Sequence, residues 1–382
     1  MKYEKSNLKQ ITVIRTGKLD SNAAVPNGMY PFFTCDPTTL RINTWAYDTE
    51  AVLLAGNNAS GNYTAKYYKG QFNAYQRTYI IESADKEKLD VRYLAYAMNK
   101  ELKLLKTMSA GSTTKFLKIG MLRGLEISLP DISIQRKIAS ILGNHDDLIE
   151  NNKNQIHLLE EVAQRLYKEW FVDLHFPRYE YVKVVDGVPE GWTYKRVEEF
   201  GEVITGKTPS TAKTEYYGGS IPFVTIPDMH GTVFPLVTEK ALTKVGADTQ
   251  KSKYLPANTV IVSCIATVGL VNIAIEPCQT NQQINSVILH DDNILYFFYE
   301  SMKRIKALLD GVGSNGATMT NVNKTKFSNI KVLYPTEDLV MKYNEFCKPI
   351  FDKILMLSKG ILVSKQARDR LLPKLMSGEI EV

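Results

Sequence analysis

Histidine and cysteine are scarce in this chain, five and four in 382 residues, and their spacing excludes most of the chemistry they could carry. The cysteines stand at 35, 264, 278 and 347 with no C-x-x-C pair. That argues against a zinc site and a disulfide framework, and for buried thiols in a reducing compartment. No H-E-x-x-H pair occurs among the histidines and no G-x-S-x-G elbow is present, which removes two common hydrolase signatures. The N-P-P-[FY] or D-P-P-[FY] clamp of amino-methyltransferases is missing as well. The first ten residues, "MKYEKSNLKQ", are too polar for a signal peptide. No run of about 18 apolar residues exists, so no membrane span is expected. A cytoplasmic protein without a catalytic constellation of its own is the expectation.

What is present is a chain that is 44% hydrophobic, enough to bury a sizeable core in two or more domains. Its net charge is +6, compatible with a polyanionic partner without proving one. Residues 135–170 hold five basic and six acidic side chains, and residues 337–382 hold eight and seven. These balances of −1 and +1 cancel, so the whole excess belongs to the rest of the chain.

The sequence is written twice. "TGK" at 16–18 returns at 205–207, and "YPFFT" at 30–34 returns as "IPFVT" at 221–225. "SAGSTTKFLKIGMLRGLEISLP" (109–130) is echoed by "GVGSNGATMTNVNKTKFSNIKVLYP" (311–335). The offset between copies grows along the chain, as insertions in a diverged duplication make it do. Strand-like runs at 49–56, 77–82, 258–265 and 284–290 and helix-like runs at 88–108 and 293–309 recur in the same order. The fold class predicted is mixed α/β, with two similar globular heads.

Each copy ends in a proline, Pro130 or Pro335, followed by a heptad pattern. Leu142, Ile149, Ile156, Ala163 and Trp170 recur every seven residues, with Ile138, His145, Asn152, Leu159 and Leu166 as the complementary set. Shifting by 205 gives Cys347, Ile354 and Ile361, and Tyr343, Ile350, Leu357, Ser364 and Leu371. Such a/d seams predict two coiled-coil helices that are each other's natural partners. Pro349 and Gly360 disfavour helix, so the second helix is expected to start late or kink. The predicted domains are 1–131, a first helix in 132–178, 179–335, and a second helix in 336–382.

Two motifs invite a different function. Gly201, Gly206, Lys207 and Thr208 satisfy G-x-x-x-x-G-K-[ST], the letters of a phosphate loop. A phosphate loop follows a buried strand and opens a helix, whereas "WTYKRVEEF" before it has helix-like spacing and "STAKTEYYGG" after it continues poorly as helix. "GVGSNG" (311–316) fits G-x-G-x-x-G but lies between a helix-like run and a threonine-rich stretch, away from any βαβ unit. A P-loop nucleotide hydrolase stands as the alternative enzymatic reading, and a scaffold that binds no DNA as a third.

The candidate interface is polar and basic. Lys66, Arg77, Lys115, Lys118, Lys207, Thr208, Lys324 and Lys326 lie in turn-rich stretches and could meet phosphate. Gln282, Gln283 and Asn315 carry amides able to read base edges in a major groove, as does Gln76.

The stretch "LPDISIQRKIASILGNHDDLIENNKNQIHLLEEVAQRLYKEWF" (129–171) resembles the central region of Type I restriction–modification specificity subunits. "VPEGW" (188–192), "GEVITGKTPS" (201–210) and "LLPKLMSGEI" (371–380) resemble further signatures of that family, so the likeness spans nearly the whole chain. The first copy departs from it, because no tryptophan precedes Thr16-Gly17-Lys18 and Leu19-Asp20 stands where Thr-Pro is expected. The resemblance implies two target-recognition domains, each reading half of a split double-stranded DNA target, joined by two long antiparallel helices. It implies two modification subunits docked along the helices and motor-nuclease restriction subunits beyond them. S-adenosylmethionine, ATP and magnesium would be held by those partners, with no cofactor here.

Overall fold

The computed structural model describes residues 3–58, 63–108, 115–305, 307 and 321–382. The chain forms two compact units, one of residues 1–149 with 363–382 and the other of residues 150–362. Each contains one head and a stretch of both long helices.

In the first unit the chain runs β1 (Glu4–Asn7), α1 (Leu8–Ile11), β2 (Thr12–Thr16), β3 (Tyr30–Phe33), β4 (Leu40–Ile42), β5 (Tyr47–Ala55), β6 (Asn57–Asn58), β7 (Ala65–Ala74), β8 (Thr78–Ser83), α2 (Val91–Met108), β9 (Lys115–Phe116), α3 (Ile119–Arg123) and β10 (Glu126–Leu129). A six-stranded sheet is ordered β2-β8-β5-β7-β3-β4, with β1 paired to β10 and β6 to β9. The central strand β5 reads as an unbroken apolar run, Ala51 to Leu54, because both its faces are covered. Val52 and Leu54 pack under α2 with Leu94 and Met98, while Ala51 and Leu53 face Phe33, Phe72 and Ile80. That is the period-two alternation of a strand buried on both sides.

The second unit repeats this order: β11 (Val184–Val185), β12 (Val188–Pro189), β13 (Thr193–Arg196), β14 (Gly201–Thr205), β15 (Tyr217–Val224), α5 (Ile226–Met229), β16 (Lys240–Leu242), α6 (Lys244–Asp248), β17 (Val260–Ser263), β18 (Val271–Ile273), β19 (Gln279–Thr280), β20 (Ile284–Leu289), α7 (Leu295–Lys303), α8 (Lys324–Ser328) and β21 (Lys331–Tyr334). Its sheets are ordered β14-β20-β17-β18 and β16-β15-β19. The difference from the first head has a local cause. There one strand, β7, pairs antiparallel with β5 and parallel with β3. Here that strand is split into β18 and β19, which pair with β17 and β15. Pro277 falls in the break, and proline supplies no N–H for a sheet ladder.

The helix α4 (Ile132–Phe171) is 40 residues long, and α9 (Glu337–Ser377) is 41. The second helix does not start late, and it runs unbroken through Pro349 and Gly360, contrary to the expected late start. Tertiary packing overrides propensity here: Tyr343, Cys347, Phe351 and Ile354 around Pro349 are all fully buried. Gly360 also has a packing reason, since a Cβ there would stand 3.2 Å from the Asn152 amide nitrogen.

Within the second unit the helices run antiparallel. The Tyr343 hydroxyl donates to the Ala163 carbonyl at 2.9 Å, and further along Gly360 faces Asn152. Within the first unit Arg368 pairs with Asp146 at 2.7 Å, and Leu371, Leu375 and Met376 join Ile138 and Leu142 in one core. Of the seam residues, Leu142, Ile149, Ile354 and Leu357 are buried, and Ile156, Leu159, Leu166, Ile350, Ile361 and Leu371 are half-buried. Each helix also has a second buried side facing its head: Tyr167 hydrogen-bonds Ser301 at 2.9 Å, and Phe351 stacks on Tyr296 with ring centroids 4.4 Å apart.

Candidate nucleic-acid interface

Each head ends an early strand, β2 or β14, in the same Thr-Gly-Lys turn, and the glycine is there for a close crossing. A Cβ on Gly17 would sit 2.1 Å from the Ala74 carbonyl oxygen, and one on Gly206 would sit 2.2 Å from that of Asn281. Only a residue without a side chain fits. The Gly17 and Gly206 N–H groups donate to Thr78 and Ile284, both at 3.1 Å, and those of Lys18 and Lys207 donate to Ala74 at 3.2 Å and Thr280 at 2.9 Å.

These bonds dispose of the phosphate loop. Its function needs free backbone amides around a helix N-terminus, and the amides of Gly206 and Lys207 are occupied by carbonyls. The letters form strand β14, in which Val203 and Ile204 are buried, and the next element is a short 3-10 turn at Thr214–Tyr216. The preceding segment is not helical as its spacing suggested. It is strand β13, paired with β21 from Thr193↔Tyr334 to Arg196↔Lys331, followed by a 3-10 turn at Val197–Glu199. Pairing with a distant strand outweighed the local pattern. The "GVGSNG" motif and Asn315 lie outside the described residues.

Beside the crossing, each head builds one ladder of three backbone segments. In the first, the Gly56 N–H donates to Arg77 at 2.7 Å and the Leu117 N–H donates to Gly56 at 2.8 Å. In the second, the Cys264 N–H donates to Gln283 at 2.9 Å and the Val322 N–H donates to Cys264 at 2.8 Å. The third rung of each leads into a short helix, α3 or α8. Asn285 links the second ladder to β14, accepting from the Thr205 hydroxyl at 2.6 Å and donating to the Val322 carbonyl at 3.2 Å.

The ladders gather most of the candidate residues. In the second head, Lys207, Thr208, Gln282 and Gln283 meet at the strand ends, and the ladder carries on to Lys324 and Lys326 on α8. Lys207, Gln282, Lys324 and Lys326 are exposed. The Thr208 hydroxyl donates to the Gln282 side-chain oxygen at 2.7 Å, while Gln283 bonds Asn281. In the first head, Arg77 and Lys118 are exposed, and the Arg77 guanidinium lies 5.8 Å from the centre of the Phe116 ring. Lys115 begins β9; its side chain is outside the described set. Lys66 stands apart on β7. Its ammonium donates to the Pro37 carbonyl at 2.6 Å and to the Thr39 hydroxyl at 3.4 Å. Burial lowers its pKa, and Asp36 acts in the opposite direction.

Sequence reasoning missed the brace beneath the second turn. Buried Gln250 donates to the Lys207 carbonyl and to the Gln279 side-chain oxygen, both at 2.7 Å, and Gln279 donates to the Ala247 carbonyl at 3.0 Å. No local signal marks these glutamines, which sit in polar turn sequence and become buried only when α6 folds over β19. Among the described residues no cluster of histidine, cysteine, aspartate or glutamate could hold a metal ion, and no helix is long and apolar enough to cross a membrane.

With two copies of one ladder in view, comparison with known proteins is decisive. The family model of the Type I restriction modification DNA specificity domain matches residues 1–161 and again 189–338. The chain belongs to this family. It is a specificity subunit with two recognition domains, and the internal duplication is the family's domain occurring twice. The chain is 33% identical over 317 residues to the Type I restriction enzyme HindI specificity subunit of Haemophilus influenzae, covering 67% of this chain and 69% of that one. It is 29% identical over 289 residues to the MjaIX specificity subunit of Methanocaldococcus jannaschii, covering 73% and 66%. The crystal structure of an S subunit from M. genitalium superposes with a TM-score of 0.64 over 98% of this chain and 96% of that one, at 16% identity; at that identity the likeness speaks for the fold alone.

Proposed function

We propose that this chain reads a bipartite double-stranded DNA target, one half with each head, and performs no bond chemistry itself. The observation that carries the reading is the repeated ladder, which holds exposed Lys, Arg and Gln side chains on equivalent hydrogen-bonded turns of both heads. Cations there would neutralise phosphates, and amides would read base edges. S-adenosylmethionine, ATP and magnesium belong, in this reading, to two modification subunits and to the restriction subunits that assemble on the chain. The long helices offer the docking surface. Leu158 and Val162 on α4 and Phe346 and Met356 on α9 are 58%, 45%, 49% and 56% exposed, and apolar side chains left out on a helix pair suit a protein partner.

The test exchanges the first head. Replacing residues 1–131 by the matching segment of another specificity subunit changes one half of the methylated target and leaves the other half as it was. Sequencing of methylated adenines in cells carrying the modification subunits reads this out. A change in both halves, or in neither, overturns the assignment of one half-site to each head.

A further inference from the structure

Gln76 and Gln282 hold the same place in the two heads. Each follows the first residue of a four-residue turn closed by a backbone bond, from Thr78 N–H to the Tyr75 carbonyl at 2.8 Å and from Ile284 N–H to the Asn281 carbonyl at 3.2 Å. The surroundings have diverged: Tyr75, Arg77, Ala74 and Leu19 correspond to Asn281, Gln283, Thr280 and Thr208. Both glutamines are exposed, so no packing requirement accounts for their survival on either side of the duplication. An exposed side chain on a turn held by a backbone hydrogen bond is suited to a partner outside the chain.

The second head adds a constraint. The Thr208 hydroxyl donates to the Gln282 side-chain oxygen at 2.7 Å, and among the described residues the Gln282 amide nitrogen has no partner. A glutamine reads adenine by using its oxygen and its nitrogen together, since adenine offers one donor and one acceptor in the major groove. With the oxygen turned to Thr208, what Gln282 presents outward is its pair of N–H donors. Thr208 is itself held, because the neighbouring Lys207 backbone is bonded at its N–H to Thr280 and at its carbonyl to buried Gln250. The Gln283 backbone N–H and side-chain oxygen are both bonded to Asn281, and its side chain is half-buried where that of Gln282 is exposed, so Gln282 is the more outward amide of this turn.

We infer that Gln282 reads a base pair of the second half-site through its amide N–H groups, and that Thr208 is the positioning residue that turns the amide toward hydrogen-bond acceptors. The matching edge is that of guanine, whose N7 and O6 are both acceptors. Leu19 stands in the place of Thr208 in the first head and has no hydroxyl, so among the described residues Gln76 keeps both ends of its amide. The inference rests on the DNA-reading function proposed above.

The experiment uses the chain assembled with its modification subunits and duplexes in which the second half-site is changed one base pair at a time. Gln282→Ala removes the preference at one base pair, weakens binding of the cognate duplex roughly ten- to a hundred-fold, and leaves the first half-site untouched. Thr208→Val relaxes the preference at that same base pair, and Thr208→Ser restores it. Unchanged preference in Thr208→Val, or an equal loss on every duplex in Gln282→Ala, overturns the inference while the function stands. A wild-type complex that binds all duplexes alike overturns the function and the inference together.

Discussion

The Glu300 carboxyl on α7 is 2% exposed, and among the described residues one of its oxygens has no hydrogen-bond partner. Lys303 lies 3.9 Å from that oxygen and also meets Glu160 of α4 at 3.4 Å. Tyr299 on α7, Tyr167 on α4, and Tyr343 and Cys347 on α9 each feel the same charge. Burial pushes the Glu300 pKa up to about 7; Lys303 pulls it down and Glu160 pushes it up. The folded protein therefore holds this proton more tightly than the unfolded chain, whose carboxyl titrates near 4.5. Stability from the neutral carboxyl is fully present below that value and is lost as pH rises through about 7. The gap corresponds to roughly 3 kcal/mol. Glu300→Gln is expected to melt higher than the parent at pH 8, with a smaller difference at pH 5. Thermal melts showing the same difference at both pH values would refute it.

Among the elements, the two long helices show how a buried face divides. A coiled-coil seam buries a narrow stripe, and Leu142 and Ile354 lie on it, fully buried. Tyr167 and Phe351 lie off that stripe yet are buried too, because the head covers a second side of each helix. Leu142→Ala is expected to cost about 2–5 kcal/mol, whereas Leu158→Ala on the exposed side costs about 0.5 kcal/mol or less. Denaturant unfolding of the two variants measures the contrast, and equal losses would contradict the seam. The heptads were legible because a period of seven shows in one dimension. The head-facing side was not, because Tyr167 and Phe351 repeat nothing along the helix and answer to rings on α7.

For the whole molecule, the proposed function makes the helices a ruler. One heptad is about 10 Å of helix at about 1.5 Å per residue, close to three base pairs of a duplex whose turn of about 10 base pairs spans roughly 34–36 Å. Deleting one heptad from each helix in register is expected to shorten the unread spacer of the target while both half-site sequences persist. Methylation sites that keep their original spacing would defeat the ruler.

The amino-acid sequence by itself determined the duplication, the two long helices, two strands and one helix in each head, and the lack of metal-binding and hydrolase signatures. These are patterns of local period and repeated letters, carried in one dimension. Only the tertiary structure decided what "GEVITGKTPS" does, because its meaning lies in contacts with residues far along the chain. Gly206 is required by a carbonyl at Asn281, Lys207 is braced by Gln250, and Thr208 meets Gln282 across 74 residues. A motif of phosphate-loop letters became a strand end because a distant turn took its amides, and no local spacing records such a bond.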